Sequence, residues 1–397
     1  MHIDFTPEQH ALRQEIRSYY REIFTPDLRA AFDAELEEMG GPVWRELVRR
    51  MGKDGWLGIG WPVEYGGQGR SPIEQFIFWD ETYRERAPLH IIPVNTIGPT
   101  IMQHGSEAQK QELLPRILSG ELFFGVGYTE PNAGTDLASL QTRAVRDGDE
   151  WVINGQKVYT THAHVADYIW LAARTDPDAP KHAGISIILV PTSAPGVSVT
   201  PIYTLGKERT NATYFQDVRV PVANTVGPEN GGWGLITSQL NHERITLATP
   251  GHCENMMDEV WEHAASLAAP DGGTMLEQQW VQVNLARVYA KLRALQVLNW
   301  RSAWSLTEGI PNMAEASALK VMGTEFFVEA YNLLLEITGA AGIVMEGEPG
   351  CLFGGLLETA YRGATTLTFG GGVNEVQRDI IAAAGLGMPR GRRRKSA

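Results

Sequence analysis

The sequence predicts an α+β protein in which a helical domain, a β domain and a helical bundle follow one another. Three observations lead to this prediction: helical periodicity at the start of the chain, short strand-like runs in its middle, and long helical stretches after Gly231 and Gly232. A chain of 397 residues has room for about two to three domains. We place the helical domain at 1–120, the β domain at 121–228 and the bundle at 229–397.

Helix-start signals mark the N-terminal domain. Thr6–Gln9 has the pattern of a capping box with proline at the first helical position, and Ser71–Glu74 and Ser106–Gln109 repeat the signal. Apolar and aromatic residues follow the first signal at helical spacing. The stretch 58–69 is rich in glycine and proline, which indicates a loop between helices.

Short runs of β-forming residues mark the middle domain. They are separated by turn signals such as Asp147-Gly148 and Asn154-Gly155. The predicted strands are Leu122–Tyr128, Trp151–Asn154, Tyr168–Ala173, Ile185–Val190 and Tyr214–Val220. This spacing favours a small sandwich or barrel. Strands and helices do not alternate, so a doubly wound parallel sheet is not expected.

Long periodic stretches mark the C-terminal domain. They cover 233–266, 277–307, 313–338 and 350–362, and a last helix begins near residue 373. Four or more long helices in succession predict a helical bundle, most simply of four helices.

Composition excludes several classes of protein. The formal net charge is -13, so the chain as a whole lacks the basic surface that nucleic acid requires. No apolar run approaches the roughly 18 residues of a membrane span, and the start does not resemble a secretory signal. Cys253 and Cys351 provide neither a disulfide framework nor a zinc pattern. We expect a cytoplasmic protein that uses no metal. We expect the basic residues at 390–395 to form a solvated tail, with a contact to an anionic ligand or partner as the alternative.

Three loops have unusual composition. Tyr128–Asp136 offers hydroxyls and backbone amides suited to a flat polar heterocycle or a phosphate, although a capped β-turn would look the same. Asn154–Thr161 ends with Tyr159 and Thr161, which would lie on one face of a strand and could contact a ring system. The alternative is an ordinary half-buried strand without a ligand. Phe369–Gln377 has three glycines before a helix. Their backbone amides could be exposed to a ligand, or the segment could be only a flexible link.

Together these loops resemble the signatures of the acyl-CoA dehydrogenases, a flavoprotein family. Tyr128–Asp136 is similar to the family's first flavin signature, with Thr135 where serine is usual. Val218–Pro221 resembles the strand that closes the β domain, and Gly372–Arg378 resembles the C-terminal signature. The resemblance runs nearly end to end and implies the same helix, β and helix order.

A subgroup is also indicated. The segments Asp54–Arg70 and Leu240–Arg244, with the triple glycine, resemble the actinobacterial acyl-CoA dehydrogenases that degrade steroid side chains. That group is typified by heterotetramers of two different subunits. The resemblance therefore implies a steroid side-chain CoA thioester as substrate and a paralogous subunit as partner, in an α2β2 assembly.

The resemblance implies FAD as cofactor and assigns residues to it. Thr129 and Thr135 match hydroxyl-bearing positions of the flavin loop, Tyr159 stands where a tryptophan against the ring is common, and Val373 replaces a usual threonine. Thr161 matches the residue that hydrogen-bonds near flavin N5. The cofactor-binding residues so implied are Tyr128, Thr129, Gly134, Thr135, Tyr159, Thr161 and Glu375.

The catalytic base is displaced from its usual position. In the family a carboxylate removes the α-proton of the thioester while the β-hydrogen leaves as hydride to the flavin. The usual glutamate falls at Gly371, which has no proton acceptor. Other members carry the base in a Glu-Arg pair on a helix of the C-terminal domain, and Glu243-Arg244 matches that pair. We expect Glu243 to be the base and Arg244 to belong to the substrate pocket. The alternative is that Glu243 is a surface carboxylate with a local ion-pair partner.

A second departure concerns the neighbouring subunit's flavin. Counting back from Gln279, the arginine and phenylalanine of the family's Arg-x-x-Phe-Gly motif fall at Ala268 and Asp271. The Gly-Gly element is also altered, at Gly339–Gly342. The chain thus looks equipped to hold its own FAD but not to complete another subunit's site, so we expect the paralogous partner to supply the arginine.

Three functions remain open from the sequence. The leading interpretation is the catalytic subunit of an FAD-dependent acyl-CoA dehydrogenase that passes electrons to an electron-transfer flavoprotein. An acyl-CoA oxidase on the same fold is the second, because no residue settles reactivity towards oxygen. The third is a non-catalytic partner that scaffolds another subunit's flavin, which would show degraded flavin loops and an intact arginine motif.

Overall fold

The chain forms helices first, then strands and then helices again, in the predicted order. The structure is a computed structural model that describes residues 4–246, 248–310 and 312–389, and for residues 240–246 it describes the backbone alone. The helices are α1 (Pro7–Ile23), α2 (Pro26–Asp33), α3 (Pro42–Lys53), α4 (Pro72–Arg84), α5 (Gly98–His104), α6 (Glu107–Leu118), α7 (Gly232–Thr246), α8 (Gly251–Ser266), α9 (Gln279–Thr307), α10 (Met313–Gly342), α11 (Leu356–Leu367) and α12 (Asn374–Ile380). A π-helical turn, Ile92–Ile97, precedes α5.

The predicted helix starts are confirmed by their hydrogen bonds. At the start of α4, the Ser71 N–H donates to Glu74 Oε2 at 2.9 Å while the Glu74 N–H donates back to Ser71 Oγ at 3.4 Å. The same reciprocal pair joins Ser106 and Gln109 at α6. Each box satisfies backbone donors that have no partner inside the helix. These starts are therefore fixed by local sequence.

The predicted helical stretch 233–266 is two helices, α7 and α8. Pro250 directly precedes α8 and has no N–H to continue a helix from the preceding turn. Gly251 then allows α8 to approach α4 closely, since a Cβ at this position would lie 2.2 Å from the carbonyl oxygen of Asp80. The break thus follows from proline chemistry and from tertiary packing together.

The middle of the chain forms one sheet. The strands are β1 (Phe124–Gly127), β2 (Arg143–Asp147), β3 (Glu150–Lys157), β4 (Tyr168–Arg174), β5 (Ile185–Pro191), β6 (Val197–Tyr203), β7 (Arg209–Pro221) and β8 (Thr225–Val226). Their order is β6-β7-β3-β2-β4-β5-β8, and β1 pairs with β4 in parallel. Trp151, Ile153, Ile169, Leu171 and Phe215 are among the buried residues of its core. The five predicted strands are present, while β2, β6 and β8 lie outside the predicted runs.

The chain divides into two compact units. One comprises Met1–Glu22, Ser71–Ala87 and Arg244–Ala397, and the other comprises Ile23–Arg70 and Pro88–Glu243. We call them the helical unit and the sheet unit. In the helical unit α10 packs against α8, α9 and α11, and α4 packs against α8 and α9. The division at residues 120 and 228 stays a prediction. Among the described residues, no helix has the length and apolar character needed to cross a membrane.

Candidate functional site

The first site loop leaves β1 and folds back on itself at once. Glu130 and Ala133 exchange backbone hydrogen bonds of 3.1 Å, which closes a tight turn over Pro131. The chain then presents Gly134 and Thr135 to solvent. Within the described part of the chain, the backbone N–H groups of these two residues and the Thr135 hydroxyl have no hydrogen-bond partner. The loop therefore offers several donors to a ligand.

A buried ion pair holds this loop to the sheet. The Lys157 ammonium donates to Glu130 Oε1 at 2.7 Å and to the carbonyl oxygen of Tyr128 at 3.0 Å. The Glu130 carboxylate also accepts the N–H groups of Gln141 and Thr142, at 2.6 and 2.8 Å. These contacts fix both ends of the turn. This role could not be predicted from the sequence, because the two charges are far apart in the chain and no local pattern pairs them.

The electrostatics of the pair favour ionisation. Burial raises the pKa of the Glu130 carboxyl, but the charge of Lys157 and the hydrogen bonds outweigh burial and hold that pKa below its usual value. Burial lowers the pKa of Lys157 to about 8, against the opposing effect of the Glu130 charge. Both groups are therefore charged at neutral pH.

The side chain of Tyr128 points into the protein. Its hydroxyl hydrogen-bonds to Gln239 and accepts from the indole N–H of Trp170 at 3.0 Å. The same indole lies 3.1 Å from Gln239 Oε1. The structure thus gives the Tyr128 side chain an anchoring position within the sheet unit, and any contact of this residue with a cofactor would come from its backbone.

The second site loop meets the first directly. The N–H of Val158 donates to the carbonyl oxygen of Thr129 at 2.9 Å. The next residue, Tyr159, has a left-handed backbone (φ 60) and a ring that is 62% exposed. Thr161 follows, with its hydroxyl 3.3 Å from that of Thr210. The structure therefore brings Thr129, Gly134, Tyr159 and Thr161 to one region of the sheet unit.

One detail of the second loop differs from the prediction. Tyr159 and Thr161 were expected on one face of a strand, but β3 ends at Lys157. The Thr161 N–H donates to the Tyr159 carbonyl at 3.0 Å, which makes this segment a turn. A positive φ at a tyrosine is rare and leaves no signal in the sequence. The turn directs the Tyr159 ring outwards, away from the sheet.

The third site loop lies in the helical unit. Gly371 and Gly372 have φ values of 66 and 98, which other residues rarely adopt. The Asn374 N–H donates to Thr368 O at 2.9 Å and closes the loop. The buried Lys320 ammonium clamps the same two residues, at 3.0 Å from Thr368 O and 2.6 Å from Asn374 Oδ1. Sequence reasoning missed this lysine, which lies on a helix without a motif around it.

Three further predicted site residues lie on α7 and α12. Glu375 is exposed in the first turn of α12, where a carboxylate is favoured by the helix dipole. Glu243 and Arg244 lie near the end of α7, but their side chains are outside the described residues. The predicted roles of all three stay predictions.

Three family models match successive parts of this chain. The model of the acyl-CoA dehydrogenase N-terminal domain matches residues 6–121, that of the middle domain 125–218 and that of the C-terminal domain 230–386. The chain belongs to the acyl-CoA dehydrogenase family. It is accordingly an oxidoreductase that acts on CH–CH bonds, and the predicted fold of a helical, a β and a helical part is confirmed.

Two curated relatives come from Mycobacterium tuberculosis. Acyl-CoA dehydrogenase FadE26 is 50% identical over 99% of this chain and 100% of its own length. Acyl-CoA dehydrogenase FadE29 is 51% identical over 98% of this chain and 99% of its own length. Such identity over full length confirms the family that the sequence motifs predict.

Two solved structures match equally well. A chain of the ChsE4-ChsE5 complex from Mycobacterium tuberculosis has a TM-score of 0.92 at 50% identity, covering 98% of this chain and 100% of that one. A chain of the Tcur3481-Tcur3483 steroid ACAD gives the same TM-score, identity and coverage. The first is described as a complex, and the name of the second joins two components.

In this acyl-CoA dehydrogenase, the positions that depart from the family pattern have clear local structure. Gly371 has no side chain and a left-handed backbone, so it provides no proton acceptor. Ala268 is exposed and pairs through its backbone with Thr274. The Asp271 carboxylate accepts a hydrogen bond from Gln278 Nε2 at 2.8 Å. Gly339 interrupts α10 with φ 59 and ψ -145. None of these four residues carries a guanidinium or an aromatic ring.

Proposed function

We propose that this chain is the catalytic, FAD-binding subunit of a heteromeric acyl-CoA dehydrogenase that desaturates the side chain of a steroid CoA thioester between its α and β carbons. The observation that carries the proposal is the first site loop. It combines donors at Gly134 and Thr135 that have no partner among the described residues with a buried ion pair that fixes its shape. A subunit that only scaffolded another flavin site would have no use for such a loop.

The donor set fits FAD. The hydroxyls of Thr129 and Thr135 and the N–H groups near Gly134 can donate to the polar edge of a flavin, and the exposed Tyr159 ring can cover its face. Thr161 would hydrogen-bond near the reacting edge. Glu375 is a further proposed cofactor contact, which rests on the resemblance of Gly372–Arg378 to the family's C-terminal signature. When bound, FAD supplies the acceptor for the hydride that leaves the β-carbon.

Glu243 is the proposed base that takes the α-proton. The α-proton of a thioester is weakly acidic, so the base must be placed accurately and kept away from bulk water. Donors to the thioester carbonyl would stabilise the enolate charge that develops as this proton leaves. Arg244 is the proposed contact to the substrate. With glycine at 371, the carboxylate of Glu243 is the candidate that remains from the family pattern.

The printed names of the relatives support the substrate class and the assembly. One matching structure is described as a steroid ACAD whose name joins two components, and the other is described as a complex of two components. Ala268 stands where the family's arginine reaches a neighbouring subunit's FAD, and a methyl group cannot replace that charge. We therefore propose a paralogous partner that provides the arginine, in an α2β2 assembly with two flavins.

The proposed electron acceptor is an electron-transfer flavoprotein. An oxidase would instead reduce oxygen directly. The rate at which reduced flavin is reoxidised distinguishes the dehydrogenase from the oxidase. Flavin reduced by substrate should reoxidise slowly in air and rapidly on addition of the electron-transfer flavoprotein. Rapid reoxidation in air alone would favour the oxidase.

An anaerobic titration tests the proposal. The chain is purified alone and together with a candidate paralogous partner, a steroid side-chain CoA thioester is added, and the visible flavin band is followed. We expect bleaching only in the co-purified complex. Bleaching by the chain alone would show that the homo-oligomer suffices and that the argument from Ala268 fails. A complex without flavin would instead favour the scaffolding role.

A further inference from the structure

Two histidines of the sheet unit have a buried ring nitrogen that finds no hydrogen-bond partner among the described residues. His90 precedes the π-helical turn Ile92–Ile97 and is 2% exposed, and its Nε2 is buried with no hydrogen-bond partner. His162 follows Thr161 in the second site loop; its side chain is half-buried, but its Nε2 is buried and has no partner in the described part of the chain. A buried polar atom without a partner is costly in a native protein, so each such atom calls for a ligand or an ordered water.

The two residues belong to one region. The His90 ring packs edge-on against Phe123, with ring centroids 4.8 Å apart, just before β1. The turn that contains His162 lies on β1 itself, because a Cβ added at Gly125 would lie 3.2 Å from Thr160 Cγ2. The pKa of His90 is lowered to about 3. Burial is the main cause, and the second is the charge of His162, which must therefore lie nearby. Both rings are therefore neutral near pH 7, since the pKa of His162 is about 4 for the same reason of burial.

The backbone determines which nitrogen of His90 carries the proton. A hydrogen bond to the backbone of Leu122 opposes burial and raises the pKa of His90. A bond that favours the protonated ring is one in which the ring donates, so it donates to the carbonyl oxygen of Leu122. The Leu122 N–H is already used, since it donates to Arg116 O at 3.3 Å. The nitrogen that meets Leu122 is therefore protonated, and Nε2 of a neutral ring is left as a bare acceptor. It needs a hydrogen-bond donor.

We propose that His90 and His162 form a buried subsite that hydrogen-bonds a hydroxyl group on the acyl part of the substrate. A hydroxyl can donate to His90 Nε2 and at the same time accept from the second ring, whereas a carbonyl can only accept and would leave His90 unpaired. The subsite rests on the proposed function. Thr161 is the proposed contact to the reacting edge of the flavin, where the acyl group binds, and His162 is the next residue. An ordered water carries the same O–H chemistry and is the other source to be distinguished.

Paired substrates test the subsite in the flavin-loaded complex. Cholyl-CoA and chenodeoxycholyl-CoA differ by one hydroxyl on the steroid nucleus beside the side chain. We expect the unmodified enzyme to prefer cholyl-CoA by about tenfold or more in kcat/KM, as a site built around a hydroxyl discriminates against an analogue that lacks it. His90→Phe keeps an aromatic ring against Phe123 and removes the acceptor, so it should abolish the preference while the flavin spectrum stays unchanged.

A second variant and a matched control complete the test. His162→Asn suits the left-handed backbone at this position (φ 64) and is too short to reach the ligand, so it should also abolish the preference. His164→Gln changes a histidine of the same loop whose Nε2 already meets Glu38 O at 2.6 Å, and it should leave the preference intact. Equal turnover of both thioesters by the unmodified enzyme would mean that the two histidines bind only water, and it would overturn the subsite while leaving the proposed function standing. Failure of every acyl-CoA to bleach the flavin would overturn both.

Discussion

The ammonium of Lys157 lies 2.7 Å from Glu130 Oε1, and neither side chain is more than 7% exposed. Glu130 belongs to the loop that leaves β1, and Lys157 is the last residue of β3. The pair therefore joins the two loops that carry the proposed flavin contacts of the sheet unit. Because the same ammonium also holds the carbonyl of Tyr128, one buried charge fixes the start of the loop and its turn.

Removing half of this pair should destabilise the protein and weaken its binding of the proposed FAD. Glu130→Gln leaves the Lys157 charge buried with a weaker partner, and breaking a buried pair costs about 3–5 kcal/mol. We expect a lower denaturation midpoint and a lower ratio of flavin to protein after gel filtration. Lys181→Met is the matched control, because Lys181 pairs with Asp136 at 2.7 Å in an exposed position that should contribute less than about 1 kcal/mol. Equal effects of the two variants would contradict the structural role of the buried pair.

A second buried carboxyl predicts a dependence of stability on pH. Asp80 in α4 accepts the N–H of Gly251 at 2.8 Å, at the start of α8. Burial, with the nearby charges of Glu81 and Glu254, raises the pKa of Asp80 to about 7. A raised pKa means that the folded state binds the proton more tightly than the unfolded state. This contribution to stability is fully present below the ordinary pKa of an aspartate and is lost as the pH rises through about 7.

Asp80→Asn tests this sign. The amide keeps an oxygen for the Gly251 N–H and does not ionise, so the variant should gain stability relative to the unmodified protein between about pH 5 and about pH 8. We expect the relative gain to exceed about 1 kcal/mol, measured from thermal unfolding at the two pH values. Asp258→Asn, which removes an exposed partner of Arg84, is the control and should shift unfolding equally at both. A relative loss for Asp80→Asn at the higher pH would show the opposite sign.

The proposed base gives a kinetic prediction. Glu243→Gln removes the proton acceptor but preserves the size of the side chain, so turnover should fall by a factor of about 100 to 10,000. Flavin content and the visible spectrum should stay the same, since the residue has no proposed contact with the cofactor. Glu229→Gln, which changes a partly exposed carboxylate before α7, should leave the rate unchanged. A Glu243→Gln enzyme with more than about a tenth of normal turnover would exclude Glu243 as the base.

Local signals explain which parts of the fold could be predicted from the sequence. The capping boxes at Ser71 and Ser106 depend on residues three positions apart, and the structure confirms them. Strands β4 and β5 are buried along most of their length, so they are recognisable in the sequence as apolar runs. By contrast β2 and β6 are mostly exposed or half-buried, and β8 has two residues, so none of them produces a hydrophobic pattern.

Features of the site that depend on tertiary contacts could not be predicted. The motif around Tyr128 indicates a cofactor loop, but the pairing of Glu130 with Lys157 joins residues on different elements. The left-handed backbone of Tyr159 leaves no composition signal, because the residue is not glycine. The unpartnered nitrogens of His90 and His162 are likewise visible only once the sheet unit has folded around them.

The proposed need for a partner can be tested by returning the missing charge. Ala268 is exposed, and its backbone pairs with Thr274, so a longer side chain can be added without displacing the chain. If the absent arginine is what limits the lone chain, Ala268→Arg should raise its flavin content and its bleaching by acyl-CoA by about tenfold, the effect of one charge-assisted hydrogen bond. Ala265→Arg adds the same charge to an exposed position of α8 and should have no effect. An unmodified chain that is already fully active alone would show that no partner is needed. No gain from Ala268→Arg would show that the partner contributes something other than this guanidinium.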